Sequence, residues 1–128
     1  MQDVRRVLVV DDEENARIGL SRLLTQEGYE VDCALDGEDA LGAVARCRPH
    51  LVITDINMPR MDGLSLLKEL NKDYPGVGVI MITAFGGVES YLDAMNLGAF
   101  EYLNKPVKLH ELRSVMQKIF GQCQNLQD

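Results

Sequence analysis

The sequence predicts an α/β fold in which helices cover both faces of a five-stranded parallel sheet. Runs of strand length, rich in apolar or β-branched residues, alternate five times with segments in which apolar residues recur at helical spacing. Strands that alternate with helices imply right-handed crossover connections, which make the strands of a sheet parallel. Four of these runs also stop at a polar residue, as expected where strands end at the ligand-binding edge of such a sheet. We therefore predict a doubly wound (βα)5 domain.

Five strands can be placed from these runs. Val7–Val10 is continuously apolar, as a central strand buried on both faces should be, whereas Glu30–Ala34 is less apolar and fits an edge. The other three strands are predicted at residues 51–55, 77–83 and 100–104. Five such units in a small domain fit the flavodoxin-like strand order 2-1-3-4-5, which places the first and third strands side by side.

Each predicted strand is followed by a helix with one apolar face. The first helix ends at Gly28, the second is capped by Asp36 and stopped by Pro49, and the third follows a loop over residues 56–63. The apolar faces of the first, fourth and fifth helices consist of Ala16, Leu20, Leu23 and Leu24, of Val88, Leu92 and Met95, and of Leu109, Leu112, Met116 and Ile119.

Composition limits the functional classes. The chain has 128 residues and a formal net charge of −7, which argues against direct nucleic-acid binding by this domain because phosphate-backbone contacts need a basic surface. It contains no apolar run of membrane-spanning length and its N-terminus lacks a signal-peptide pattern, so we expect no membrane contact and a cytoplasmic location. We predict one domain over residues 1–121, with residues 122–128 as a tail or the start of a linker.

The polar residues that follow the strands predict a phosphoryl-transfer site. Asp11 and Asp12 follow the first strand, Asp55 ends the third, Thr83 ends the fourth, and Lys105 follows the fifth. Parallel strands bring all of them to the same edge, where hard oxygen ligands suit Mg²⁺, with Mn²⁺ as the alternative ion. We assign Asp12 and Asp55 as direct ligands, Asp11 as a ligand reached partly through water, and the backbone carbonyl of Asn57 as a further ligand.

Asp55 is predicted to be the nucleophile. A carboxylate can accept a phosphoryl group to form an acyl phosphate, and the transition state spreads charge over three equatorial oxygens. The bound cation, the Lys105 ammonium and the Thr83 hydroxyl can each take one of these oxygens.

Together these residues resemble the receiver domain of a two-component response regulator. The similar segments are Val9–Glu13, Thr54–Pro59 with Asp62-Gly63, Thr83-Ala84, Gly98-Ala99 and Tyr102–Pro106. The resemblance makes Asp55 the phosphoacceptor, Asp11 and Asp12 the acid pair, Thr83 the switch hydroxyl and Lys105 the phosphate-facing lysine. It also implies a cis peptide before Pro106 and a role for Tyr102 as the switch aromatic; a plain strand tyrosine with its hydroxyl at the surface is the alternative.

The resemblance further implies a stoichiometric phosphoacceptor switch rather than a turnover enzyme. A sensor histidine kinase or a histidine phosphotransfer protein would donate the phosphoryl group. The domain would catalyse its own phosphorylation and its slow dephosphorylation. The surface formed by its fourth helix, fifth strand and fifth helix would control an output domain or effector protein. Phosphorylation-linked homodimerisation through the fourth helix and fifth strand is expected. Residues 83–99 look similar to receivers of nitrogen-regulator-type transcription factors.

Three alternatives stay open on the sequence. An aspartyl-phosphate-forming phosphatase would carry a second Asp two positions after its nucleophile, whereas Glu13 and Asn57 stand there. A flavin-binding module would need a donor-rich phosphate loop after the first strand, where this chain is acidic. A receiver that no longer accepts phosphate and acts only by docking is the third.

Overall fold

The computed structural model describes residues 5–58, 60–84 and 87–121. The predicted tail at 122–128, Pro59 and Gly86 lie outside these residues. Helices and strands alternate throughout: β1 (Arg6–Val10), α1 (Glu14–Gln26), β2 (Glu30–Ala34), α2 (Gly37–Cys47), β3 (Leu51–Asp55), α3 (Gly63–Asp73), β4 (Gly78–Thr83), α4 (Val88–Asn96), β5 (Glu101–Asn104) and α5 (Leu109–Met116), which continues into a π-helical turn at Gln117–Gly121.

The five strands form one parallel sheet in the order β2-β1-β3-β4-β5, as predicted. The centre of the sheet is formed by β1 and β3, which pair in the register Val7↔Leu51 to Val10↔Thr54. All five residues of β3 are buried, whereas most of β2 is at least partly exposed at the edge. The apolar and mixed compositions of these two strands therefore match their positions.

Alternating side chains along the strands build two core layers, because successive residues of a strand point to opposite faces. Leu8 and Val10 pack on one face with the buried sides of α2, α3 and α4, and Val7 and Val9 pack on the other face with α1 and α5. Both faces are therefore covered, as the doubly wound prediction requires.

Helix ends follow the predicted signals. The Asp36 carboxylate accepts a hydrogen bond from the Asp39 amide at 2.9 Å and caps α2. Gly28, after α1, has φ +97°, a left-handed conformation that glycine adopts without strain. Two residues before Pro49, α2 ends, and Arg48 takes the left-handed position. No helix within the described residues is long and apolar enough to cross a membrane.

The predicted apolar stripe of α4 is wrong at Leu92. Its side chain is 50% exposed, whereas Ala94, two residues later, is fully buried. Positions two apart on a helix point in nearly opposite directions, so both cannot face the sheet. The small Ala94 packs in the core with half-buried Met95, and the larger Tyr91 and Leu92 face outward.

The π-helical turn after α5 is held at the amino edge of the sheet by Phe120. Its ring lies 5.7 Å from the Tyr29 ring, edge-on to His50, and 4.8 Å below the Arg5 guanidinium carbon. Cation–π and aromatic contacts of this kind add to the stabilisation from buried area.

Phe120→Ala should therefore lower the free energy of unfolding by about 2 kcal/mol, less than for a fully buried phenylalanine because the ring is half-buried. Urea denaturation measures the change. Phe100→Ala is the matched control, because Phe100 is more exposed, at 41%, and its replacement should cost less than about 1 kcal/mol. Equal losses for both variants would contradict an anchoring role for Phe120.

Candidate functional site

The central strands bring three carboxylates together at the carboxyl edge of the sheet. Asp55 ends β3, and Asp11 and Asp12 directly follow its neighbour β1. One carboxylate oxygen from each of these residues lies within 4.8 Å of the others. Asp11 and Asp55 are buried, whereas Asp12 is exposed. The sequence-based placement of this acidic cluster is confirmed.

Lys105 reaches the same cluster from the loop after β5. Its ammonium nitrogen donates hydrogen bonds to Asp11 Oδ2 at 2.8 Å and to Asp55 Oδ2 at 2.9 Å. Its backbone amide donates to the carbonyl of Thr83 at 2.8 Å, and the Lys105–Pro106 peptide is cis, as the resemblance implied. The side chain thus bridges the ends of β1 and β3 from across β4.

The electrostatics of the cluster are dominated by unlike charges in a confined space. Burial alone would lower the pKa of the Lys105 ammonium, but its hydrogen bonds to Asp11 and Asp55 and their charges together raise the pKa above its ordinary value. Three carboxylates facing one ammonium leave a formal excess of two negative charges (3 − 1 = 2). That excess, made only of oxygen donors, fits a hard divalent cation such as Mg²⁺.

Backbone amides orient the two buried carboxylates. The Glu13 amide donates to Asp11 Oδ1 at 2.9 Å, and the Asn57 amide donates to Asp55 Oδ1 at 3.0 Å. Each carboxylate therefore has one oxygen fixed by its own loop and the other fixed by Lys105. The Arg17 guanidinium, which the sequence analysis did not single out, donates to the Asp11 carbonyl at 2.9 Å. Arg17 could have been noted from the sequence, because it lies in the first turn of the helix that directly follows the acidic residues.

Gly63 has a structural role that sequence analysis missed. A β-carbon at this position would stand 2.4 Å from the carbonyl oxygen of Asp55 and 2.9 Å from the Ile56 Cα. The Gly63 amide also donates to the Ile56 carbonyl at 2.8 Å. The glycine therefore lets the start of α3 pack directly on the backbone of Asp55.

Thr83 lies on β4, next to β3, and Tyr102 lies on β5, the edge strand beyond β4. Thr83 is buried at the end of β4, in register with Asn104, the residue before Lys105. The Tyr102 hydroxyl donates to Ser90 Oγ at 3.1 Å, and its ring is edge-on to Tyr91 at 5.5 Å. Tyr102 therefore contacts α4 through both its ring and its hydroxyl.

Comparison with known proteins decides the family. The sequence model of the response regulator receiver domain matches residues 7–117. The chain belongs to this family. Regulatory protein AtoC of Escherichia coli K12 is 41% identical over 118 residues, which cover 92% of this chain and 26% of AtoC. The chain spans about half the length of other curated relatives, such as response regulator MprA of Mycolicibacterium vanbaalenii.

Solved structures agree with this assignment. A receiver domain from Clostridium thermocellum superposes with a TM-score of 0.87 at 32% identity, covering 96% of this chain and 99% of that one. NtrX from Brucella abortus gives a TM-score of 0.87 at 34% identity, covering 98% of this chain and 28% of that one. The protein described here is thus a response regulator receiver domain with the corresponding fold, and phosphorylation-dependent signalling follows from its family.

Proposed function

We propose that this receiver domain accepts a phosphoryl group on Asp55 in a Mg²⁺-dependent reaction. The observation that carries the proposal is the Lys105 ammonium, which bridges Asp55 at 2.9 Å and Asp11 at 2.8 Å at the mouth of the acidic cluster. A cation fixed beside a nucleophile is placed to stabilise charge that develops on transferred phosphoryl oxygens.

Each residue has a distinct role in this proposal. An Asp55 carboxylate oxygen forms the new P–O bond as the P–N bond of a phosphohistidine breaks, and the leaving imidazole keeps the electron pair. Lys105 exchanges its bond to Asp55 for one to a phosphoryl oxygen, and the Thr83 hydroxyl takes another. Asp11, Asp12, Asp55 and the Asn57 carbonyl would hold Mg²⁺, which when bound neutralises phosphoryl charge.

The conformational signal would run from Thr83 to Tyr102. Thr83 moves toward the phosphoryl group, and the Tyr102 ring then turns into the space beside it. Because Tyr102 contacts Ser90 and Tyr91, such a turn must break or shift contacts to α4. A local change of charge would then alter the surface formed by α4, β5 and α5.

The proposed partners follow from family membership. A sensor histidine kinase or histidine phosphotransfer protein supplies the phosphoryl group, and the altered surface acts on an output domain or effector, or on a second phosphorylated copy. Similarity to NtrX supports the nitrogen-regulator-type receiver suggested by residues 83–99. We assign this function to residues 1–121, with the domain catalysing its own phosphorylation and slow dephosphorylation.

Intact-mass spectrometry after incubation with acetyl phosphate tests the proposal. Wild type should gain one phosphoryl group with Mg²⁺ and none with EDTA, and Asp55→Asn should gain none, because an amide cannot form an acyl phosphate. Asp62→Asn, which changes an exposed acid that caps α3, is the matched control and should still gain one group.

Other outcomes would replace the proposal. No adduct on wild type under either condition would favour a receiver that acts only by docking. An adduct that persists in Asp55→Asn would show that another residue is the phosphoacceptor. Multiple turnover of a phosphoester would indicate a phosphatase.

A further inference from the structure

We propose that Gly37, at the first turn of α2, is a positioning residue for the divalent-cation site. The inference rests on the proposed Mg²⁺-dependent function and concerns the loop between β3 and α3, described at residues 56–58 and 60–62. This loop carries Asn57, whose backbone carbonyl is the proposed cation ligand. Its position is therefore part of the geometry of the site.

Both ends of this loop are fixed at the site itself. The Asn57 amide donates to Asp55 Oδ1 at 3.0 Å, and the Gly63 amide donates to the Ile56 carbonyl at 2.8 Å. These contacts do not fix the middle of the loop, which must pass over the edge of the sheet before α3 begins.

The middle of the loop is seated on α2. Gly37 is buried beneath Met61, and a β-carbon on Gly37 would stand 2.7 Å from the Met61 Cβ and 2.8 Å from its backbone oxygen. Contacts this short to a backbone atom cannot be relieved by a side-chain rotation, so any larger residue at position 37 must move the loop. Met61 is also packed on the core layer that lies beneath α2 and α3.

Arg60, the residue before Met61, makes a second contact between the loop and α2. Arg60 has a positive φ of 66°, and its guanidinium lies 3.7 Å from the carboxylate of Asp36, the N-cap of α2. Because Arg60 is largely exposed, this ion pair is a minor contributor. The close approach of Met61 to Gly37 is therefore the stronger of the two contacts between the loop and α2.

Gly37→Ala should weaken Mg²⁺ binding without removing the phosphoacceptor. Supporting partners of metal ligands, when changed, lower metal affinity by about 10-fold or more, and we expect a loss of that size. Mg²⁺ affinity is measured directly by titration followed through the backbone amide NMR signals of Asn57 and Asp12. In the acetyl phosphate reaction, the Mg²⁺ concentration for half-maximal rate should rise by the same factor, and the rate at saturating Mg²⁺ should stay within about two-fold of wild type.

Gly42→Ala is the matched control because it lies in the same helix. A β-carbon there would meet only the tip of the flexible Arg46 side chain, at 3.2 Å. This variant should bind Mg²⁺ like wild type. Melting temperatures of all variants show whether a loss of affinity is separate from a loss of stability, since a purely structural role would lower the melting temperature and the saturated rate together.

The results separate this inference from the proposed function. Wild-type Mg²⁺ affinity in Gly37→Ala would overturn the positioning role. If that variant does not fold, Met61→Gly takes its place, because it removes both side-chain carbons of Met61 that lie on Gly37. Unchanged affinity in Met61→Gly would overturn the role equally. If wild type binds Mg²⁺ but takes no phosphoryl group, the proposed function fails while the affinities of the variants still decide the role of Gly37.

Discussion

Lys105→Met is expected to slow phosphorylation of Asp55 by acetyl phosphate by about 100-fold or more, the usual cost of removing one preorganised donor from a charge-stabilising site. The physical reason is that the ammonium touches Asp11 and Asp55 directly, whereas methionine has a similar length and no charge. Initial rates at saturating Mg²⁺, followed by intact-mass spectrometry, measure the effect.

Lys108→Met is the control for this change. It removes the same charge three residues later from an exposed position that caps α5 without a side-chain hydrogen bond. Its rate should match wild type. A Lys105→Met protein that phosphorylates at the wild-type rate would show that the ammonium holds the two carboxylates in the resting protein and has no part in the transfer.

Gly63→Ala should destabilise the domain by about 2 to 4 kcal/mol, as overpacking against rigid surroundings does. The added carbon would overlap the carbonyl oxygen of Asp55 at 2.4 Å and the backbone of Ile56 at 2.9 Å. The first atom belongs to the last residue of the fully buried central strand and the second to the residue directly after it, so the backbone there cannot move without disturbing the strand. Urea denaturation monitored by far-UV circular dichroism gives the free energy of unfolding.

Gly19→Ala makes the same substitution where nothing lies within 4 Å, inside α1. It should stabilise the domain by about 0.5 to 1 kcal/mol, because alanine favours a helix interior over glycine. The two variants are therefore expected to change stability in opposite directions. A Gly63→Ala protein as stable as wild type would mean that the start of α3 shifts freely from Asp55.

The strands and the acidic cluster could be predicted because they depend on local patterns. The bounds of β2 and β3 match the predicted residues 30–34 and 51–55, and the other strands differ by one residue at one end. Once the strand order was inferred, Asp11, Asp12 and Asp55 had to meet, since adjacent parallel strands end together. Lys105 follows β5 at the same edge of the sheet, and its long side chain reaches the cluster from across β4.

Close contacts between distant elements could not be predicted in the same way. The periodicity of α4 suggested Leu92 for the core, but Ala94 faces it. The contacts of Gly37 with Met61 and of Gly63 with Asp55 depend on the path of a loop in three dimensions. The roles of Thr83, Tyr102 and Asn57 in signalling and metal binding stay predictions.

The backbone of Asp55 makes the end of β3 a fixed support. Its carbonyl oxygen accepts a bond from Thr54 Oγ1 at 2.9 Å and lies against Gly63, while β1 and β4 flank the strand on both sides. A group added to the carboxylate cannot push this backbone aside. If Asp55 is phosphorylated as proposed, the resulting displacement must therefore be taken up by the side chains and loops around its carboxylate, while the strand that carries it stays in place.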